Sequence, residues 1–421
     1  VKGRCDGGWH AWTIVLGSWC AMIPSMGLLN TLAVLEAWLT ENELKDVPKS
    51  TTGWIFSCYA FFLYFCGAQV GPIFDAYDIK VLIIPGSIGI VLSLIFLSFS
   101  TGECALKIEK CGTLVNKLNI EFYQILLSFG VLGGMSASLL FNPSLAAIGQ
   151  WFYKRRAFAT GVACTAGGLG GVAFPLIIQE LSPRIGFPWA IRIVAFICAV
   201  HLSVACLCLR KRLPPNKKSG ASVDLKALRE TNFALTTVGV FLIEFAVFIP
   251  YTYICSYAIH AGMSHSDAYR LNAFLNAGAV PGRALPGYVA DKFGVFNTMC
   301  ITSLACTAFI LGLWQESYGS ETRITVFAVL FGFFSGAAIS LTPVCVGQVC
   351  KVEDLGKRNG TAFFVASFGA LVGVPIAAAV LEANGGDYSG LIWFGGAFYL
   401  VASIAFCVAR GVAGGWKMNI F

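Results

Sequence analysis

Runs of about twenty apolar residues, set apart by short polar breaks, recur along the whole chain, and each is long enough to cross the hydrocarbon of a bilayer as a helix. Twelve are found, at 11–35, 53–74, 80–100, 121–148, 157–180, 188–209, 232–256, 266–290, 296–314, 323–349, 360–382 and 391–410. Within them apolar residues do not alternate with polar ones, so the pattern predicts helices and not the strands of an outer-membrane barrel. The fold class expected is an all-α integral membrane protein with twelve transmembrane helices.

The longest polar segment, RKRLPPNKKSGASVDLKALRE at 210–230, divides the runs six and six. It predicts an N-terminal six-helix bundle over 1–209, a cytoplasmic linker over 210–230 and a C-terminal bundle over 231–421. The halves read as repeats. Gly71-Pro-Ile-Phe-Asp75 follows the second run and Gly287-Tyr-Val-Ala-Asp291 follows the eighth, both G-x-x-x-D. Lys154-Arg155-Arg156 leading to Gly161 is matched, in the same order, by Lys357-Arg358 leading to Gly360. Parallel duplicated bundles of this kind place a binding site between the halves near mid-depth.

Composition agrees with the pattern: the chain is 57% hydrophobic and 12% charged, with a mean hydropathy of +0.74. Charge then fixes an expected orientation. Nineteen of the 29 basic residues fall on one side: Lys2, Arg4, Lys80, Lys154, Arg155, Arg156, Lys292, Lys351, Lys357, Arg358, Arg410, Lys417 and seven in the linker. By the positive-inside rule both termini are cytoplasmic. The net charge of +7 needs no nucleic-acid partner, because topology and contact with anionic inner-leaflet lipid account for it. The membrane is the plasma membrane or an organelle membrane such as the vacuolar one. Most of the 16 cysteines are scattered singly in the apolar runs, where a thiol behaves as a small hydrophobe. Cys104 and Cys111 share one polar loop and can pair if that loop faces an oxidising compartment. Four dispersed histidines predict no metal cluster, and no cofactor is expected beyond a proton as coupling ion.

The eighth run departs from pure apolarity. Arg283 lies eight residues inside Asp291, roughly 12 Å at the helical rise, below the headgroups. Lipid cannot solvate a guanidinium there, so a cavity, a counter-ion or a bound ligand must, unless it is paired only to hold two helices together. Asn272, Asn276, Ala279 and Arg283 share one helix face. Glu244, about twelve residues into the seventh run, sits near mid-membrane by the same rise. It can carry a proton, pair with Arg283, or remain a packed neutral group. Asn142, just before Pro143, is a candidate lining residue, and Tyr59, Tyr64 and Gln69 of the second run can line a cavity or pack. The glycines from Gly167 to Gly171 form no phosphate loop, since no strand precedes them and no lysine follows in register. In a membrane helix they let neighbours approach closely.

Asp75 and Asp291 can each face a helix N-terminus, where negative charge is stabilised, and are read with the Arg155 and Arg156 loop as gating residues. Gly287 to Gly294, GYVADKFG, resembles the loop motif of the major facilitator superfamily. The first-half copy, GPIFDAYDIK, keeps Gly71 and Asp75 without most of the basic residues. Asp6-Gly-Gly-Trp9-His-Ala-Trp12 and the run from Trp151 to Gly171, WFYKRRAFATGVACTAGGLGG, resemble the two signatures of the monocarboxylate porter family. Asn276 to Asp291, NAGAVPGRALPGYVAD, is similar to its fungal branch, and the resemblance covers essentially the whole chain. It implies that the arginine of the eighth span, here Arg283, holds the substrate carboxylate and takes part in coupling. Two positions depart from animal members: Ala279 stands where they carry aspartate, and Asn30 where they carry lysine.

The expected function is a secondary transporter that moves a small organic anion, a mono- or dicarboxylate, by alternating access with proton coupling, acting as a monomer. Substrate contacts are expected from Arg283, Asn276, Asn30, Asn142 and Tyr59, and the proton site at Glu244. Two alternatives stand beside it: a facilitator or exporter of a neutral or larger secondary metabolite, and a non-transporting nutrient receptor. No combination of nucleophile, base and orienting group suggests an enzyme.

Overall fold

The structure, a computed structural model, describes residues 7–42, 44, 49–100, 122–214 and 223–415. Cys104, Cys111 and the middle of the linker lie outside the described residues. The chain is all-helical there, in twelve long units: α1 (Trp9–Glu36), α2 (Thr52–Ala76), α3 (Lys80–Ser100), α4 (Phe122–Trp151), α5 (Arg156–Ile185), α6 (Phe187–Cys208), α7 (Thr231–His260), α8 (His265–Phe293), α9 (Val295–Ser317), α10 (Glu321–Gln348), α11 (Val352–Ala383) and α12 (Tyr388–Gly414). Each coincides with one of the apolar runs. Among the described residues eleven are long and apolar enough to cross a membrane. The remaining unit, α8, has the length but falls short on apolarity because Asn272, Asn276 and Arg283 lie in it. Those polar residues are buried, while Phe274, Leu285 and Tyr288 on the same helix are exposed apolar groups. The helix is therefore a span whose polar face is turned into the protein, against α10 and α5.

Two hydrophobic cores fill the molecule. One is built from residues between Ala11 and Leu209 together with Phe363 and Ala370 of α11. The other is built from residues between Ala227 and Ala409 together with Ala157 of α5. Each core thus borrows from one helix of the other half. Within α1 the helix loosens to a π turn over Ile23–Gly27, around Pro24, whose missing N–H leaves the backbone ladder incomplete.

Two seams join the halves. Along α5 and α8 the contact is backbone to backbone. A Cβ on Gly161 would run into the Arg283 carbonyl, and one on Gly287 into the Ala157 carbonyl. Along α2 and α11 the seam is aromatic where it is deep: Tyr64 stacks on Phe363 at 5.3 Å between centroids, and Phe65 lies 5.1 Å from Phe364. Nearer the helix ends it too becomes glycine against glycine, Gly71 meeting Gly356 and Gly360. Substituting valine at Gly71 or Gly161 forces packed backbones apart, a change that costs about 1–3 kcal/mol. Both variants are expected to melt earlier than the parent in detergent, whereas Gly312→Ala, whose new methyl enters open space, should not. Equal melting of all four proteins would show that these seams are not closed as described.

Candidate functional site

The site is best built from the end that carries the two G-x-x-x-D sequences. Asp75 closes α2 and is buried, and its carboxylate accepts hydrogen bonds from the backbone N–H groups of Gly356 (3.3 Å) and Lys357 (2.7 Å) in the first turns of α11. Asp291, near the end of α8, accepts from Ala157 and Phe158 at the start of α5, both at 2.9 Å. The first N–H groups of any helix lack partners within it, and their dipoles favour negative charge. Each half thus caps a helix of the other, and the molecule is closed at this end.

Arg156 completes the closure. Its guanidinium lies against Gly149 of α4 and Gly347 of α10, and donates to the Gly347 carbonyl at 3.2 Å. That carbonyl is in the last turn of α10, where a cation is favoured. Arg155 occupies the N-cap position before α5 with its residue exposed, so the two arginines that the sequence treats alike are separated by one step of helix geometry. Lys211, from the start of the linker, donates to the carbonyls of Phe74 (2.6 Å), Asp75 (2.7 Å) and Tyr77 (3.1 Å) and caps the end of α2. Burial pushes its ammonium below the usual lysine range, against the opposing pull of the Asp75 and Asp78 carboxylates.

Deeper in, at the α5–α8 seam, lies Arg283, with none of its surface exposed. Its Nη1 donates to the Cys164 carbonyl of α5 at 2.8 Å, and Gly167 leaves the space that the guanidinium fills. Nε and Nη2 are buried with no hydrogen-bond partner. The sequence predicts this group in a cleft between the halves; the structure places it between them but occludes it. Glu244 of α7 is equally buried, in electrostatic contact with the Tyr64 hydroxyl of α2 and with Arg283, and its Oε2 is unpartnered. It stops short of an ion pair with the arginine.

Of the expected amides, Asn30 and Asn276 join this group. Asn30 donates to the Gly167 carbonyl at 2.9 Å. Asn276 donates to Asn272, and its Oδ1, beside Gly171, is buried and unpartnered. Asn142 lies between α4 and α2, next to Gly67, donating to the Ser138 hydroxyl at 3.1 Å with its own oxygen unpartnered. Tyr59 stands apart. Its hydroxyl donates to the Ser25 carbonyl in the π turn at 3.1 Å, and its ring stacks on Phe129, so it is packed inside the first bundle.

Sequence reasoning missed Tyr251. Seven residues beyond Glu244, and so on the same face of α7, its buried hydroxyl faces Arg283 and Ser335 of α10 without closing a hydrogen bond. Tyr399 of α12 adds a second such hydroxyl near Glu244 and Tyr251. The helical spacing from Glu244 was the available signal, but an aromatic in an apolar run reads first as packing. A buried polar group left without a partner costs about 1–3 kcal/mol. Unmet donors on Arg283 and an unmet acceptor on Glu244, together with these hydroxyls, form a cluster of buried polar atoms that a polar ligand can satisfy.

Residues 14–322 match the family model described as Major Facilitator Superfamily. The chain belongs to the major facilitator superfamily. It is 35% identical to a fujikurins efflux protein of Gibberella fujikuroi, over 96% of this chain and 83% of that protein. It is 31% identical to the riboflavin transporter MCH5 of Saccharomyces cerevisiae, over 99% of this chain and 81% of that one. Its fold is that of the human organic anion transporter MFSD10, with a TM-score of 0.71 at 15% identity, covering 94% of this chain and 98% of that one. As a member of the superfamily it is a multi-pass membrane transporter, and the Asp75 and Asp291 contacts tie its two halves together at this end.

Replacing either carboxylate by amide keeps the shape and removes the charge at a helix N-terminus, about 1 kcal/mol of closure. Asp75→Asn and Asp291→Asn should therefore speed maleimide labelling of Cys164, in a background without the other cysteines, by about fivefold. An unchanged labelling rate would remove the two aspartates from the gate.

Proposed function

We propose that this transporter carries a small organic anion, a mono- or dicarboxylate, by alternating access with proton coupling. The observation that supports it is the pairing of unmet groups at the centre: two nitrogens, Nε and Nη2, of a buried guanidinium beside a carboxyl with an unpartnered oxygen. A substrate carboxylate accepts from Nε and Nη2 in the two-pronged geometry that only arginine offers. Asn276 and Asn30 supply neutral contacts alongside. Glu244 takes up the proton, so that arginine, substrate and proton enter the site with their charges balanced, which a membrane interior demands. When the site is empty, ionised Glu244 is the counter-ion on offer to Arg283, and an arriving substrate must displace it. The proton then decides which anion the arginine holds.

In this reading the chain is a monocarboxylate-porter-like member of the superfamily, supported by Trp151–Gly171 and by Arg283 itself. The basic residues put the gate on the cytoplasmic side, with both termini, and the conformation described is closed to the cytoplasm. The two bundles, 1–209 and 231–421, rock about the α5–α8 and α2–α11 seams. No cofactor or second subunit takes part. A second reading is favoured by the relatives whose names specify efflux of fujikurins and transport of riboflavin. There the same arginine binds the acidic group of a larger metabolite, and Ala279 and Asn30 leave room and neutrality where animal porters carry charge.

Uptake into proteoliposomes under an imposed pH gradient tests both. Carboxylate uptake by the parent protein should collapse with a protonophore, fall at least tenfold in Arg283→Lys, and vanish in Arg283→Ala. Glu244→Gln should keep counterflow exchange while losing acceleration by the gradient. Unchanged uptake in Arg283→Ala contradicts the site, and a wild-type pH response in Glu244→Gln contradicts the proton role. Uptake of larger acids alone, with the same dependence on Arg283, selects the second reading.

A further inference from the structure

Outside the transport path, the membrane-facing surface carries a groove between α3 and α6. It has a volume of about 390 Å³ and is lined by Ile84, Ile88, Val91, Leu92, Leu202 and Cys206, with the hydroxyls of Ser87 and Ser203 beside them. The α3 residues recur every three and four positions, so they form one helix face. The two helices are antiparallel and in register here, Ser87 meeting Cys206 at 3.6 Å. Neighbouring side chains stand proud of the groove: Ile88 is 56% exposed and Leu207 75%.

The mouth of the groove is basic. Lys80 begins α3 four residues before Ile84, hence on the same face, one turn nearer the gated end. Arg210 follows α6 four residues after Cys206, at the same level. Both residues are exposed. The backbone carbonyl of Arg210 is held by the Trp151 indole N–H at 3.1 Å, which anchors that residue and leaves its side chain free. The adjacent carboxylate, Asp78, accepts from the Lys80 backbone N–H at 3.2 Å and faces Lys211, whose ammonium is already committed to α2. The N-terminal end of α3 adds its own positive partial charge. An apolar channel at acyl-chain depth therefore opens onto two cations and a helix N-terminus at headgroup depth.

We propose that this groove is a binding site for an anionic phospholipid, one acyl chain lying between α3 and α6 and the phosphate meeting Lys80 and Arg210. Charge complementarity selects the occupant. A zwitterionic lipid offers the same chain with its phosphate already balanced, whereas an anionic headgroup gains from both side chains. Ser87 and Ser203 satisfy themselves on backbone carbonyls of their own helices, Ile83 and Ala199, so they line the groove without demanding a polar ligand.

The test is native mass spectrometry of the purified full chain after equilibration with mixed micelles of equimolar phosphatidylserine and phosphatidylcholine. The parent should retain phosphatidylserine several-fold over phosphatidylcholine. In Lys80→Ala combined with Arg210→Ala the preference should fall to near unity, and Ser203→Trp, which fills the groove, should lose the bound lipid of either kind. Melting temperatures of the variants establish that they are folded. Absence of preference in the parent, its survival in the double variant, or undiminished retention in Ser203→Trp would each overturn the proposal. Equal retention of both lipids by the parent would show that only the chain, and not the headgroup, is recognised.

Discussion

The structure depends on a guanidinium that is removed from water and only partly satisfied. Arg283 spends one N–H on the Cys164 carbonyl and has two groups, Nε and Nη2, with nothing to bond. Leaving charge-bearing donors unmet in an apolar interior is costly enough that the surrounding helices must be fixed by other contacts. They are: the α5–α8 seam is glycine against backbone, and Ser340 of α10 donates to the carbonyl of Arg283 itself at 3.1 Å. The arginine is held by its main chain and offered by its side chain.

From this follows the division of labour between the ends of the helices and their middles. At the end that carries Asp75 and Asp291, charged groups are matched across the halves, carboxylate to helix N-terminus and guanidinium to helix C-terminus, and Lys211 seals the end of α2. In the middle the polar groups are mismatched: Glu244, Tyr251, Asn276 and Arg283 each keep an unmet atom. A matched gate and a mismatched centre are what alternating access requires, since the first must open at little cost and the second must gain from a ligand. The two seams differ in kind. One is glycine against backbone, and the other adds, at its deep part, ring contacts of Tyr64 with Phe363 and of Phe65 with Phe364.

Much of this could be read from residues alone, and the reasons are physical. Arg283 announced itself because a charge in an apolar run has no cheap explanation, and the duplicated glycine and aspartate marked the two contacts that join the halves at one end. The twelve helices followed from run length, and α8 belonged among them although its polar face lowers its apolarity. What could not be read depends on rotation about helix axes. Tyr59 and Tyr251 look alike in sequence, yet the first spends its hydroxyl on the Ser25 carbonyl within the π turn and the second faces Arg283. Arg155 and Arg156 are neighbours, and only the point where α5 begins turns one outward and the other between Gly149 and Gly347. Nor could a sequence say that the centre is occluded.

An anion-binding role for the buried arginine makes ligand charge, at constant shape, the property to vary. Thermal stabilisation of the purified protein by matched pairs of ligands, each carboxylic acid beside its primary amide of the same shape, measures this directly. Acids are expected to raise the melting temperature and amides are not. Equal stabilisation by both members of each pair would mean that shape, and not charge, is recognised, and the guanidinium would then be no more than a structural strut.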